Sequence, residues 1–319
     1  MKKFMIYAIT LFLIPAFVFT GCKKDDEETF DAQKELTSYL VANDMDLNKI
    51  LDGFVMKAPE GGAISGMYIM DIRSADDFAA GHIEGAVRVD LSNILTAAEQ
   101  AGGQPILVVC KTGQTATYAS TLLRLAGHTS KALKWGMSGW NTSLDAWTPN
   151  VANVAEGHAN WTSNAAPTNL EFSSPKLTGV TATSGADILK ERVAAVLAGG
   201  FATATATDVI ENPGSYFINN YFGEADYLGF GHINGAYRIN PLLVSEGQVN
   251  YLDASKPVVT YCYTGQTSGA ITAYLRVLGY DAKSLLFGMN KLYHDNSAWT
   301  SNRWDAGAES HDYPIVTGN

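Results

Sequence analysis

The stretch Gly81-His82-Ile83-Glu84-Gly85-Ala86-Val87-Arg88 returns in the second half of the chain as Gly231-His232-Ile233-Asn234-Gly235-Ala236-Tyr237-Arg238. An internal repeat of this kind is read before any other feature, because it fixes how many structural units the chain contains. Working outward, Cys110-Lys111-Thr112-Gly113-Gln114-Thr115 recurs as Cys262-Tyr263-Thr264-Gly265-Gln266-Thr267, Trp135-Gly136-Met137 as Phe287-Gly288-Met289, and Ala146-Trp147-Thr148 as Ala298-Trp299-Thr300. The chain therefore holds two copies of one domain. With 319 residues, 46% hydrophobic and 17% charged, it is long enough for two cores at about 100–200 residues per domain.

Within the first copy, Met67 to Ile72 is apolar and β-prone, and Ile106-Leu107-Val108-Val109 is a continuous apolar run that suits a strand buried on both faces. Cys110 ends that strand. Thr115 to Ala126 then shows apolar residues at helical spacing, with Gly127 where a C-terminal cap belongs, and Lys131 to Trp135 reads as the next strand. The second copy repeats the order with Pro257 to Tyr261, Thr267 to Leu278, Gly279 and Lys283 to Phe287. Strands that alternate with helices predict an α/β fold, each copy a mostly parallel sheet flanked by helices.

The copies are expected at residues 35–150 and 186–310, joined by a linker at 151–185 rich in Asn, Thr, Ser, Ala and Pro, with a tail at 311–319. That linker exceeds the usual loop length of about 12–15 residues, so it is expected to pack along the domains or bridge them. At the other end, Lys2 and Lys3 precede an uncharged apolar stretch from Phe4 to Thr20 that is short for a membrane span. Phe19-Thr20-Gly21-Cys22 resembles a bacterial lipobox, which implies a signal peptide over residues 1–21 and a lipid on Cys22. The charged run from Lys23 to Glu28 reads as part of a solvated tether over 22–34, and Lys followed by acidic residues there resembles a surface-display signal. The expected location is exported and lipid-anchored to the bacterial envelope, at the outer membrane, facing the periplasm or the surface.

A net charge of −10 without a basic stripe speaks against a nucleic-acid partner. Of the three cysteines, Cys110 and Cys262 remain after Cys22. A disulfide between them is chemically open in an exported chain, but they occupy equivalent positions in two copies, and one cross-bridge does not account for that.

Asp71-Ile72-Arg73, then Asp77-Phe78, then Gly81-His82-Ile83-Glu84-Gly85-Ala86, a strand ending at Cys110, and Gly136 through Trp140 together resemble the ordered landmarks of the rhodanese family. The match spans most of both repeats. It implies two tandem rhodanese-like domains in which the loop cysteine becomes persulfidated by a sulfur donor. Cys-x-x-Gly-x-Thr resembles the loops of thiosulfate and mercaptopyruvate sulfurtransferases, although those two-domain enzymes usually keep only the second cysteine. Neither Lys111-Thr112 nor Tyr263-Thr264 matches the residues that separate the two activities.

A thiol at the carboxyl end of a parallel strand, just before a helix, faces backbone N–H groups and the positive end of the helix dipole. An ordinary cysteine with a pKa of about 8.5 is about 3% thiolate at pH 7, and one lowered to about 7 is half ionised. The expected cycle is attack by Cys110 or Cys262 on a small sulfur-containing anion such as thiosulfate, followed by transfer of the sulfur to a thiol or cyanide acceptor. Lys111, Thr112, Gly113, Gln114, Thr115 and Ala116, with Tyr263, Thr264, Gly265, Gln266, Thr267 and Ser268, are the expected substrate-binding positions. Because Lys111 follows Cys110 where Tyr263 follows Cys262, Cys110 is expected to react faster with anionic donors.

Other chemistries fit less well. A phosphatase or arsenate reductase needs an arginine in the cysteine loop to grip a tetrahedral oxyanion, and neither loop has one. His82 and His232 sit in a Gly-His-Ile-x-Gly turn, where a structural hydrogen bond is the expected role. No spacing suggests zinc, a redox pair or a nucleotide, so no metal or cofactor is expected. The competing functional class is a non-catalytic rhodanese-like module that binds a partner or senses polysulfide.

Overall fold

The computed structural model describes residues 30–318. Cys22, the apolar stretch before it and most of the expected tether lie outside them. In the first half the order is α1 (Ala32–Ala42), α2 (Leu47–Ile50), β1 (Val55–Met56), β2 (Tyr68–Asp71), α3 (Ala75–Ala80) and β3 (Val87–Arg88). It continues with α4 (Ile94–Ala98), β4 (Ile106–Val109), α5 (Gln114–Leu125), β5 (Ser130–Leu133) and α6 (Gly136–Trp140). The second half runs β6 (Trp161–Thr162), α7 (Gly185–Ala198), β7 (Thr203–Ala204), α8 (Ala206–Glu211), β8 (Phe217–Asn220), α9 (Glu224–Phe230) and β9 (His232–Ile233). It closes with β10 (Val258–Tyr261), α10 (Gln266–Val277), β11 (Ala282–Leu285), α11 (Met289–Leu292) and α12 (Ala306–Glu309).

Two parallel sheets carry the repeat. The first has strand order β1-β5-β4-β2-β3 and the second β7-β11-β10-β8. An isolated parallel bridge from Asn219 to Tyr237 stands where β3 pairs in the first copy. The central strands β4 and β10 are fully buried, as the continuous apolar run of β4 demands when both faces are covered. Each cysteine follows the central strand of its sheet, and the order of the two sheets makes those positions equivalent.

The copies meet through α5 and α10. A Cβ added at Gly269 of α10 would stand 2.9 Å from both Gln114 O and Thr117 Oγ1 of α5, so the missing side chain sets how closely the helices approach. One apolar core runs through both copies: Leu122 and Leu123 of α5 share it with Ile271 and Leu275 of α10 and Val193 of α7.

Three segments differ from the expected boundaries. The tether was expected to reach residue 34, but α1 begins at Ala32, because Asp31 caps it through the backbone N–H groups of Gln33 and Lys34. In the linker, β6 pairs antiparallel with β9 and Ala155 is fully buried in the core of the second copy. Residues 311–316 return to the first copy: His82 and Val316 exchange backbone hydrogen bonds at 2.9 Å, and Tyr313 and Ile315 pack on the cluster of Ile69, Leu107, Val109 and Trp140. The β6 and 311–316 contacts are set by backbone pairing to distant residues, which leaves no local period to read.

Candidate active site

In the first copy the chain leaves β4, turns through Lys111-Thr112-Gly113 and enters α5, so the Cys110 sulfur faces the start of a 12-residue helix. Cys110 Sγ accepts hydrogen bonds from the backbone N–H of Gly113 at 3.1 Å and of Ala116 at 3.3 Å. The start of α6 holds the loop from behind, with Met137 N–H donating to Cys110 O and Ser138 N–H to Lys111 O. A Cβ on Gly136 would lie 2.3 Å from Cys110 O, and one on Gly288 would lie 2.1 Å from Cys262 O. Only glycine allows that approach. Trp135 and Phe287, the residues before them, both take positive φ, so the repeated aromatic-Gly-Met segment is a strained brace under each loop.

A cavity of about 350 Å³ opens at Cys110. Lys111, Thr112 and Thr115 line it, together with Ile72, Arg73, Ala146, Asn150 and Phe287. Phe287 comes from the second copy, so the first site is walled by both repeats. Reading one loop at a time does not reach it, although its place in the repeated aromatic-Gly-Met segment is a visible signal.

The electrostatics differ from the sequence expectation in two ways. Burial pushes the Cys110 thiol up, against hydrogen bonds from the Ala116, Thr112 and Gly113 backbone that pull it down, and the nearby Asp71 charge adds to the rise. The lowered pKa expected from the helix start is therefore corrected: desolvation of Cys110, a residue 5% exposed, outweighs the N–H groups. The Lys111 ammonium also does not stand alone at the cavity, since it pairs with Asp77 Oδ1 of α3 at 2.9 Å. Arg73 is buried and bonded to both oxygens of Asp71 and to Gly81 O. Each cation at this cavity thus has its own carboxylate.

Gln114 and Gln266 are corrected as well. They are 2% and 3% exposed and point across the repeat interface rather than into a substrate cavity. Gln114 Oε1 accepts from Phe287 N–H at 2.7 Å, and its amide nitrogen donates to Thr112 Oγ1. Gln266 lies against Gly113. The Trp135, Trp147 and Trp304 cluster seals the same seam, with Trp147 Nε1 donating to Thr112 O.

In the second copy Cys262 is 2% exposed, and its sulfur accepts from Ser268 N–H at 3.4 Å. Met289 N–H donates to Cys262 O and Asn290 N–H to Tyr263 O, repeating the brace. Tyr263 stacks on Phe222 at 4.3 Å and donates to Asp226. Asp226 of α9 stands where Asp77 stands in the first copy, so a tyrosine–carboxylate hydrogen bond replaces the lysine–carboxylate pair. Tyr221 is pushed up to about 12 by burial, with Cys262 contributing. Thr264 Oγ1 accepts from Gln266 N–H, Gly265 caps α10, and Thr267 is half-buried at the start of that helix. Ser268 is fully buried and its hydroxyl turns to Cys262 and Ser284. His82 and His232 stack on Phe78 and Tyr227 and bond to the carbonyls of those residues. Both cysteines are free thiols.

The thiosulfate sulfurtransferase of Pseudomonas aeruginosa is similar over 90% of this chain and 49% of that one, at 16% identity and a TM-score of 0.29. This chain therefore spans about half the length of that protein. The 3-mercaptopyruvate sulfurtransferase of Leishmania major is similar over 76% of this chain and 73% of that one, at 14% identity and a TM-score of 0.29. A rhodanese-related protein from Thermoplasma volcanium is similar over 26% of this chain and 85% of that one, at 17% identity and a TM-score of 0.24. No curated protein matches by sequence. The family model of the rhodanese-like domain matches residues 55–143 and 223–295, which together make up half of the chain and contain both cysteine loops. With two such matches on two equivalent sheets, the chain belongs to the rhodanese-like domain family.

Proposed function

We propose that the protein is a sulfurtransferase that carries sulfane sulfur as a persulfide on Cys110 and Cys262. One observation carries this reading: in both copies the cysteine sulfur after the central strand accepts backbone N–H from the start of the following helix. Such groups can hold a thiolate and the anion that attacks or leaves. With thiosulfate as donor, the thiolate attacks the outer sulfur. A bond forms between Sγ and that sulfur, the sulfur–sulfur bond of the donor breaks, and sulfite leaves with the electron pair. An acceptor thiolate or cyanide then attacks the outer sulfur of the persulfide and returns the cysteine thiolate.

Incubation with thiosulfate and cyanide should yield thiocyanate, and the Cys110→Ser, Cys262→Ser double variant should yield none above background. Equal thiocyanate from the double variant would overturn the reading. The alternative of a polysulfide-sensing or binding module draws on the low exposure of both sulfurs; persulfides that form with polysulfide but pass no sulfur to cyanide or a thiol would favour it. The reading also includes export and a lipid on Cys22, which rests on the lysine–apolar–cysteine order of residues 2–22. A Cys22→Ser chain that still partitions into membranes at unchanged mass would remove that part.

A further inference from the structure

Beneath Cys262 the second copy carries hydroxyls where the first carries hydrocarbon. Strand register aligns Ala132 of β5 with Ser284 of β11, and Val108 of β4 with Thr260 of β10. Counting from the cysteine aligns Ala116 with Ser268. All six side chains are buried. Two of these hydroxyls, on Ser268 and Ser284, bond to each other and to Cys262, as a buried hydroxyl must find a partner to offset its desolvation.

The partners form a chain. The Cys262 thiol donates to Ser268 Oγ at 3.7 Å, Ser268 Oγ meets Ser284 Oγ at 2.8 Å, and Ser284 Oγ lies 3.4 Å from Gly265 O. Thr260 Oγ1, in register with Ser284, has no partner of its own. Because a hydroxyl can donate or accept, the direction of this chain can reverse. While the sulfur is a thiol, donation runs from sulfur to Ser268 to Ser284 to the Gly265 carbonyl. When the thiol proton has left for solvent, Ser268 can turn to donate to the thiolate and Ser284 to donate to Ser268.

We infer that Ser268 and Ser284 are positioning residues that ready Cys262 for ionisation, a two-hydroxyl chain with no counterpart at Cys110. The inference rests on the proposed use of Cys262 as a nucleophile, and it gives the two sites different means of reaching the thiolate. At Cys110 two backbone N–H groups meet the sulfur, whereas at Cys262 one backbone N–H is joined by a side-chain hydroxyl. The titratable groups facing Cys262 are Tyr221 and Tyr263, with Asp226 behind Tyr263. Tyr221 is pushed up to about 12 and Tyr263 is raised further by burial and Asp226, so both phenols stay neutral below pH 10.

The test is the pH dependence of iodoacetamide alkylation, read separately on the Cys110 and Cys262 peptides of the full chain by mass spectrometry. Ser268→Ala should raise the Cys262 midpoint by about one unit, as loss of a hydrogen bond to the charged form does. Ser284→Ala should raise it by less, and Ser268→Thr, which keeps the hydroxyl, should hold it near the wild-type value. The Cys110 midpoint should not move in any of them and so serves as the folding control. An unchanged Cys262 midpoint in Ser268→Ala, or equal shifts at both cysteines, would overturn the inference. Alkylation needs no sulfur donor, so a shifted midpoint without thiocyanate production would leave the hydroxyl chain standing and remove the sulfurtransferase reading instead.

Discussion

Gln114 Oε1 accepts the backbone N–H of Phe287 at 2.7 Å, which joins the loop of the first cysteine to the brace under the second. Phe287 holds a positive φ and also walls the Cys110 cavity, so this one bond fixes a strained residue that both sites use. Gln114→Ala should leave the Phe287 N–H without its partner and destabilise the chain by about 1–2 kcal/mol. Urea denaturation measures it, and an unchanged midpoint and slope would show that Phe287 is held by packing alone.

The lysine–carboxylate pair at the first site sets a second expectation. Asp77→Asn should release the Lys111 ammonium toward the cavity and speed persulfidation of Cys110 by thiosulfate roughly threefold at low ionic strength, with the gain fading as salt is added. Lys111→Ala should slow the same reaction. Persulfide on the Cys110 peptide, followed by mass spectrometry across a salt series, reads both. If Asp77→Asn is no faster than the wild type, Asp77 does not hold the lysine back.

Asp71 and Arg73 form a buried pair with side-chain exposures of 0% and 3%. Arg73→Leu should destabilise by about 3–5 kcal/mol, because it strands a carboxylate without water or a cation. The second copy shows the compatible exchange, with Asn220 where Asp71 stands and Phe222 where Arg73 stands. The double variant Asp71→Asn, Arg73→Phe should therefore melt closer to the wild type than Arg73→Leu does. Thermal unfolding of the three proteins separates these outcomes.

The rise of the Cys110 thiol fixes the sign of its pH response. Because burial moves ionisation above the usual thiol value of about 8.5, the thiolate fraction should still be climbing close to tenfold per unit between pH 7 and pH 8. Alkylation of the Cys110 peptide should climb in step. A plateau reached by pH 7 would mean that the N–H groups of Gly113 and Ala116 outweigh desolvation.

Much of the architecture was legible because it is written twice. β4 and β10, α5 and α10, and the two cysteines all fall where the paired segments put them, with strand and helix ends shifted by one or two residues. What self-comparison cannot tell is how the copies face each other. Gln114 and Gln266 read as loop donors because each lies two residues beyond its Lys-Thr or Tyr-Thr pair; the contact of α5 with α10 turns them to the opposite copy. Lys111 read as a free cation because its partner, Asp77, is brought to it by α3 and not by the local chain. The thiol of Cys110 read as activated because the helix start is visible in sequence and the depth of burial is not.

The segment 311–316 has a consequence for the order in which the molecule can be made. Asn141 donates to Tyr313 O across 172 residues of chain, and Trp140 and His82 are tied to the same returning strand. Synthesis yields the whole of the first α/β layer long before that strand exists, so the floor under Leu107 and Val109 stays uncapped while the second copy is still being translated. The first copy, although synthesised first, therefore cannot complete its packing until residues 311–316 have been made.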